Sequence, residues 1–287
     1  MSRAYSPLRY PGGKSCIFSF MSSILSENEI FGCKYVEPYA GGAGLALKLL
    51  FEEYVDSIVI NDLDPFVYRF WRVCTQQSER LVNWVDETPV TVDMWKRCKE
   101  IIKNSSDASE FDIATAFFFL NRTNVSGVLN GGVIGGLEQL GKYKIDARYN
   151  KSELLRRIEK IGRYRGRIEV SCLDGVKLLS RYTKSGAGNA FIYIDPPYYE
   201  KGSNLYMNYY KDRDHKRLSG KLRELKHPWV LSYDNHDFIV NLYNEYKRRA
   251  YKLQHSTSNS IGNEVVVFSP ELTFQKSVEK LNDAVVI

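Results

Sequence analysis

Residues 191–199 read FIYIDPPYY, an apolar run that meets a carboxylate, two prolines and two tyrosines. Pro196 and Pro197 have no backbone N–H and a fixed φ, so neither a strand ladder nor a helix continues through them. The corner they make is rigid and leaves the Pro196 carbonyl open to a donor on a ligand. In an open α/β sheet, ligands lie beyond the carboxyl ends of the strands, which is where Asp195 would stand. Tyr198 adds a ring face just past the two acceptors. A carboxylate, a carbonyl and a ring together suit something planar that carries an amino group.

A second rim feature is EPYAGGAG at residues 37–44. A glycine turn between a strand and a helix lets a ligand approach the backbone and the helix N-terminus, although it also serves as plain turn geometry. This one lacks the lysine of a phosphate-binding loop. It fits the dinucleotide fingerprint imperfectly, because Glu37 and Pro38 stand before the glycines. Asp62, in INDLD at residues 60–64, strengthens the signal. A carboxylate at the end of the next strand can accept both hydroxyls of a ribose lying across the strand ends. It can also simply cap the following helix. With Gly41 and Gly42, Asp62 suggests a nucleoside-containing cofactor.

These residues need strands to present them. KYVEPYAGGAGLALKLL (34–50) and DSIVINDLDPFVYRFWRVC (56–74) read as strand–helix–strand–helix with short connections, hence a parallel sheet covered by helices. From about residue 76 to 165 the chain turns helical, with candidates in TVDMWKRCKEIIKN, FDIATAFFFLNRT and KSELLRRIEKIGRYR. Between the last two lies NVSGVLNGGVIGGLEQLGKYKIDARYN, whose glycines and asparagines predict an ordered loop or hairpin on a helical platform. Strand patterns return in RIEVSCLDG, AFIYID, WVLSYDN and the late pair RRAYKLQHS and NEVVVFSP. The organisation expected is an α/β domain of residues 1–75 and 166–287, interrupted by a mainly helical insertion over 76–165.

Composition narrows the classes. The 287 residues carry a formal charge of +6, a mild pointer to a polyanionic partner. No stretch approaches the roughly 20 apolar residues of a membrane span, and the start lacks the apolar core of a signal peptide. The five cysteines are odd in number and widely spaced, and the four histidines are scattered. Neither set supports a structural metal. Reduced thiols in a cytoplasmic protein are the expectation.

Taken together, the motifs are similar to those of the Dam-like, D12-class DNA adenine-N6 methyltransferases, which use S-adenosylmethionine. The DPPY tetrapeptide of that family corresponds to Asp195, Pro196, Pro197 and Tyr198. PLRYPGGK (7–14) resembles its amino-terminal cofactor motif, EPYAGGAG its first-strand motif and INDLD the acidic motif after it. FLNRT (119–123) resembles the start of its base-recognition region, and SYDN and NEVVVFS its late strands. The order matches over nearly the whole chain. The resemblance implies a Rossmann-like methyltransferase sheet with a late antiparallel strand and an inserted helical target-recognition domain. It implies cofactor contacts from Tyr10, Gly12, Gly13, Lys14, Glu37, Ala40, Gly41, Gly42, Asp62 and Asp195, with no metal. Tyr10 would lie against the adenine, Lys14 on the active-site side of the pocket and Asp62 on the ribose. The partner implied is double-stranded DNA, reached through Arg122, Asn124, Asn130, Lys142 and Arg148, with a cognate restriction endonuclease encoded nearby and a monomeric or weakly dimeric enzyme. Asp195 and the Pro196 carbonyl would take the two N6 hydrogens of a flipped-out adenine on which Tyr198 stacks. Residues 202–204 and Tyr199, Tyr206, Tyr209 and Tyr210 would form a loop that orders over DNA.

The resemblance thins in the glycine-rich loop. GATC-methylating members read guanine with an arginine where this chain has Asn130, so a target containing adenine but other than GATC is expected. An asparagine there suits an adenine edge or makes a turn. RNA as substrate and a catalytically silent cofactor-binding module are the alternatives. A nicotinamide-dependent oxidoreductase would leave the aspartate–proline–proline corner without a task.

Overall fold

The computed structural model describes residues 5–10, 12–184, 188–200, 210–254 and 261–287. The chain divides into two compact units, one of residues 1–11 and 65–170, the other of residues 12–64 and 171–287.

The second unit carries most of an eight-stranded sheet. Its strands are β1 (Lys34–Glu37), β2 (Ser57–Asn61), β3 (Ile168–Ser171), β4 (Ala190–Ile194), β5 (Trp229–Asp234), β6 (Arg248–Gln254), β7 (Ile261–Phe268) and β8 (Val285–Val286). Their order is β3-β2-β1-β4-β5-β7-β6-β8. β1 runs parallel to β2 and β4, and β4 parallel to β5, whereas β7 pairs antiparallel with both β5 and β6. This is the mixed sheet expected from the sequence, with its parallel core and late antiparallel strands. AFIYI and WVLSYD are buried at every residue; AFIYI is the continuous apolar run that a parallel strand covered on both faces requires. Helices α1 (Phe18–Glu27) and α2 (Gly44–Phe51) belong to this unit. Val36, Val59, Ile192, Ile194, Leu231 and Val265 form one core with residues of later helices in the unit.

Strand order reverses between β1 and β4, whose carboxyl ends lie side by side. Such a switch point leaves a crevice beyond the strand ends, because successive connections leave the sheet in opposite directions. Glu37 closes β1, and Asp195 follows β4 directly.

The first unit is helical: α3 (Pro65–Gln76), α4 (Ser78–Glu87), α5 (Val92–Lys103), α6 (Glu110–Thr123) and α7 (Lys151–Arg163). Thr91, Ser109 and Asn150 cap α5, α6 and α7 by accepting backbone N–H bonds, which satisfies donors a helix start leaves open. α6 is buried nearly all round. Its Phe117 and Phe118 stack on Phe66 and Phe70 of α3 at centroid distances of 6.5 and 5.4 Å. Those rings explain why the unit begins at residue 65 rather than near 76. The helix after β2 was grouped by sequence with the sheet, but its apolar face packs on α6.

Residues 124–150 form the ordered, hairpin-like loop expected. Val125 N–H donates to Gly132, Ile134 N–H to Thr123, and Asn124 bridges Val133. Gly127 has φ +76°, and a Cβ there would sit 3.1 Å from the Asn121 carbonyl and from Arg9 Cβ. Only glycine fits that approach. Lys99 and Trp95 of α5 hold the loop from beneath, through the Leu129 and Gly131 carbonyls and Asn124 Oδ1.

Candidate active site

The site lies wholly in the second unit, at the switch point. Gly12 takes φ 77° and turns the chain into a short 3-10 turn, Lys14–Ile17. The turn carries the Lys14 side chain inward, leaving it 4% exposed. Lys14 Nζ donates to Asp195 Oδ1 at 2.8 Å and Oδ2 at 2.9 Å, and to the Tyr198 hydroxyl at 2.6 Å. Ser232 Oγ donates to Asp195 Oδ1 at 2.9 Å, and the Tyr193 hydroxyl meets Ser232 at 2.7 Å. Ser232 has one proton, already given to Asp195, so Tyr193 must be the donor in that contact.

Asp195 is thus surrounded by donors, and Oδ2 has the fewer of them. Burial pushes its carboxyl above the usual range, and the neighbouring ammonium of Lys14 opposes that shift. Among the described residues none donates to the Pro196 carbonyl, which stays available as the sequence suggested. Tyr198 differs from expectation. It is 7% exposed rather than open, and its hydroxyl donates to Glu264 at 2.5 Å while accepting from Lys14. An ammonium 2.6 Å from that oxygen but 4.9 Å from the ring centroid sits at the hydroxyl end, not over the ring face. Past the corner, Asp234 accepts the backbone N–H groups of Tyr199 and Glu200, each at 2.9 Å. The Tyr199 ring packs on Phe238 and His236, and Tyr210 bonds Tyr39. Residues 202–204, Tyr206 and Tyr209 lie outside the described residues.

The glycine turn is built as a neighbour to this cluster. Ala40 N–H donates to the Asn61 carbonyl and Gly41 N–H to Asp62 Oδ2, both at 2.8 Å. Gly41 takes φ 47° and Ala43 φ 45°, so Gly42 and its neighbours form a tight left-handed bend. Asp62 Oδ1 accepts from Asp64 N–H at 2.9 Å. Asp62 is therefore both turn brace and local cap, with lone pairs left on each oxygen. Burial raises its carboxyl to about 6. Glu37 is 5% exposed, accepts from Tyr35 at 3.1 Å, and is pushed by burial up to about 8. Tyr10 is half-buried and belongs to the N-terminal segment of the helical unit.

Comparison with known proteins decides the family. Residues 10–258 match the model of the D12 class N6 adenine-specific DNA methyltransferases. The chain belongs to that family. This methyltransferase uses S-adenosylmethionine and acts on adenine N6 in DNA. It is 25% identical over 236 residues to Type II methyltransferase M.MjaIII of Methanocaldococcus jannaschii, covering 76% of this chain and 79% of that protein. It is 20% identical over 242 residues to Type II methyltransferase M.CviBI of Paramecium bursaria Chlorella virus NC1A, covering 80% and 85%.

The donor set fits such a cofactor. Asp62 keeps lone pairs beyond its bonds to Gly41 and Asp64 that suit ribose hydroxyls, and Asp62, Asp195 and Glu264 outnumber the one buried ammonium of Lys14, a balance complementary to a cationic ligand. Among the described residues no His, Cys, Asp and Glu group could hold a metal ion, and no helix is long and apolar enough to cross a membrane.

The residues expected on DNA lie in the helical unit. Asn130, Lys142 and Arg148 are exposed. Arg122 is half-buried, and its guanidinium donates to the Arg148 carbonyl. Asn124 is a correction. It is fully buried, its Oδ1 accepts from Trp95, and its Nδ2 donates to Val128 and Leu129. No polar atom of its side chain is left for DNA. Asn121 likewise works inside, pairing with both the N–H and the carbonyl of Arg9. Sequence reasoning missed Ser232, Asp234, Tyr251 and Glu264. The quoted SYDN and NEVVVF contained three of them, but nothing in their spacing says which residues face the corner.

The raised carboxyl of Glu37 has a thermodynamic sign. A group protonated more readily when folded adds stability below its unfolded pKa, and this is lost as pH rises through the folded value. For Glu37 the window runs from 4.5 to about 8, and Asp62 contributes the same sign only up to about 6. Glu37→Gln should therefore flatten the fall in unfolding midpoint between pH 6 and about 8 relative to wild type, measured by urea titration of the ligand-free protein. Parallel curves for the two proteins would show that Glu37 ionises normally.

Proposed function

We propose that this enzyme methylates N6 of an adenine flipped out of double-stranded DNA, at a target other than GATC, with Asp195, Pro196, Pro197 and Tyr198 forming the catalytic corner. The observation that carries the reading is the Asp195 carboxylate, fixed by Lys14 and Ser232 beside an unbonded Pro196 carbonyl. Adenine N6 is a poor nucleophile because its lone pair is delocalised into the ring. Asp195 Oδ2 and the Pro196 carbonyl would accept the two N6 hydrogens and draw them out of the ring plane, which directs the lone pair outward. Both acceptors then offset the positive charge that develops on nitrogen, and they do so without reorganising. S-adenosylmethionine, when bound, supplies the electrophilic methyl group. Asp62 would hold its ribose and Glu37 its polar end; Gly12 and Gly13 would let the N-terminal segment pass close to its methionine portion, Lys14 would reach the active-site side of the pocket, and Ala40, Gly41 and Gly42 would form the turn that the cofactor lies against. Extruding the base costs a few kcal/mol; stacking on Tyr198 would return roughly 1–3 kcal/mol, provided that substrate binding uncovers a ring face that is 7% exposed without it.

DNA binding is assigned to the helical unit, residues 65–170. Burial, with Arg9, Arg157 and Arg148 close by, pushes Arg122 down to about 9, and burial with Arg148 lowers Arg9. Of these four, only Arg157 has a carboxylate partner among the described residues, Glu153, which it shares with Arg156. An uncompensated guanidinium cluster suits phosphates, while Asn130 and Lys142 on the exposed loop suit base edges and groove. A location in the cytoplasm fits reduced thiols, three of which are buried, and the enzyme is read as a monomer. A cognate restriction endonuclease is suggested by the Type II relatives.

Asp195→Asn keeps the shape but removes the charge, and should lower the methyl-transfer rate on duplex DNA by about 10²-fold or more. Transfer assays on DNA and RNA of the same mixed sequence test the reading; a wild-type rate in the folded variant, or equal rates on RNA, would refute it. On a panel of variant sites, Arg148→Ala should weaken every sequence alike and reduce the log–log salt slope of binding by about 0.9. Asn130→Ala should change discrimination at one base pair, by about 1–3 kcal/mol. An Asn130→Ala profile identical to wild type would make that residue a turn former only.

A further inference from the structure

β7 places a second carboxylate beneath the catalytic corner. Glu264 is 1% exposed. It accepts from the Tyr198 hydroxyl at 2.5 Å and from the Tyr251 hydroxyl at 2.8 Å, and lies 3.9 Å from Lys14 Nζ. Its register partners are Asp234 on β5 and Tyr251 on β6. Like-charged residues directly opposite on a sheet are unfavourable, yet here each carboxylate has its own donors. Asp234 takes the backbone of residues 199 and 200, and Glu264 takes the ring of residue 198. The two grip the chain that leaves the proline corner from adjoining positions.

We propose that Glu264, steadied by Tyr251, is a positioning residue for methyl transfer, acting through the Tyr198 hydroxyl. A carboxylate only accepts, so the Tyr198 proton must point to Glu264. The phenol oxygen then presents its lone pairs to Lys14, and the ammonium is aimed at Asp195. The resulting chain of bonds runs one way from each end: Tyr251 to Glu264, Tyr198 to Glu264, Lys14 to Tyr198 and Asp195, Tyr193 to Ser232, Ser232 to Asp195. Asp195 receives donors alone. With a neutral amide at position 264 this direction is no longer imposed, because the amide can donate to Tyr198 and the phenol proton can turn elsewhere. The Tyr198 ring, tethered at its hydroxyl, loses its fixed plane at the same time.

This role rests on the methyl-transfer reading above, and the test separates the two. Single-turnover rates on duplex DNA would be measured for wild type, Glu264→Gln, Tyr198→Phe and the double variant, together with the dissociation constant for S-adenosylhomocysteine. Each single change should slow transfer about tenfold, the scale of one hydrogen bond used in the transition state. The double variant should be no slower than the worse single one, since both changes remove the same contact. For Glu264→Gln, cofactor affinity should stay within about twofold, because the bonds it alters, to the Tyr198 and Tyr251 hydroxyls, involve no group assigned to the cofactor. Losses that multiply in the double variant, or an unslowed Glu264→Gln, would overturn the proposal while leaving the catalytic corner intact. Should Glu264→Gln not fold, Tyr251→Phe takes its place in the cycle, and an unchanged rate there overturns the proposal equally. A wild-type enzyme that transfers nothing to DNA would take down both readings.

Discussion

One buried ammonium organises the proline corner. Lys14 is 4% exposed, and a charge removed from water costs several kcal/mol unless it is paired and fully hydrogen-bonded. Its partners come from distant parts of the chain: Asp195 and Tyr198 beyond β4, and Glu264 at the longer distance of 3.9 Å on β7. The N-terminal turn, the proline corner and the antiparallel strand must all be in place before that charge is satisfied. A rigid corner made of prolines would otherwise have only its own φ constraints to fix where the carboxylate points.

The sheet supplies the rest. Because strand order reverses between β1 and β4, the ends of the two strands that carry Glu37 and Asp195 are neighbours, and β2 brings Asp62 alongside. Asn61 knits the rim, donating to the Pro38 and Leu173 carbonyls and accepting from Ser171 and Leu173. Burial is the main reason that the rim carboxyls of Glu37 and Asp62 resist ionisation, and Asp195 adds repulsion at Glu37. A positively charged ligand beside these carboxyls would favour their ionised forms. Stability without ligand and affinity with it are thus opposed through the same groups.

The parallel core was legible because its strands are short apolar runs ending in polar residues, and the corner was legible because two prolines after an aspartate have few other uses. Helix α6 was legible from its length and apolar content. Other features depend on long-range packing that local pattern does not encode. Asn124 and Asn130 sit six positions apart in the same glycine-rich stretch, yet one is buried beneath Trp95 and the other is exposed. Glu264 alternates with valines in a strand whose facing is set by pairing with β5 and β6, so sequence alone gave no reason to bring it to Tyr198. Tyr198 itself looked like an open ring, because a tyrosine hydroxyl announces a need for a partner without saying where the partner is. The aromatic helix α3 follows a sheet strand and was grouped with it, but its rings are complementary to α6.

The central claim is that Lys14 holds Asp195 as the carboxylate that activates N6. The pH dependence of the single-turnover methyl-transfer rate, for wild type and Lys14→Met at saturating cofactor and DNA, tests it most directly. Removing an ammonium in direct contact should move the acid limb of the profile upward by about one pH unit or more, since the pairing that favours the ionised form is gone. An acid limb that stays at its wild-type position, or a Lys14→Met enzyme as fast as wild type across the whole range, would contradict the account.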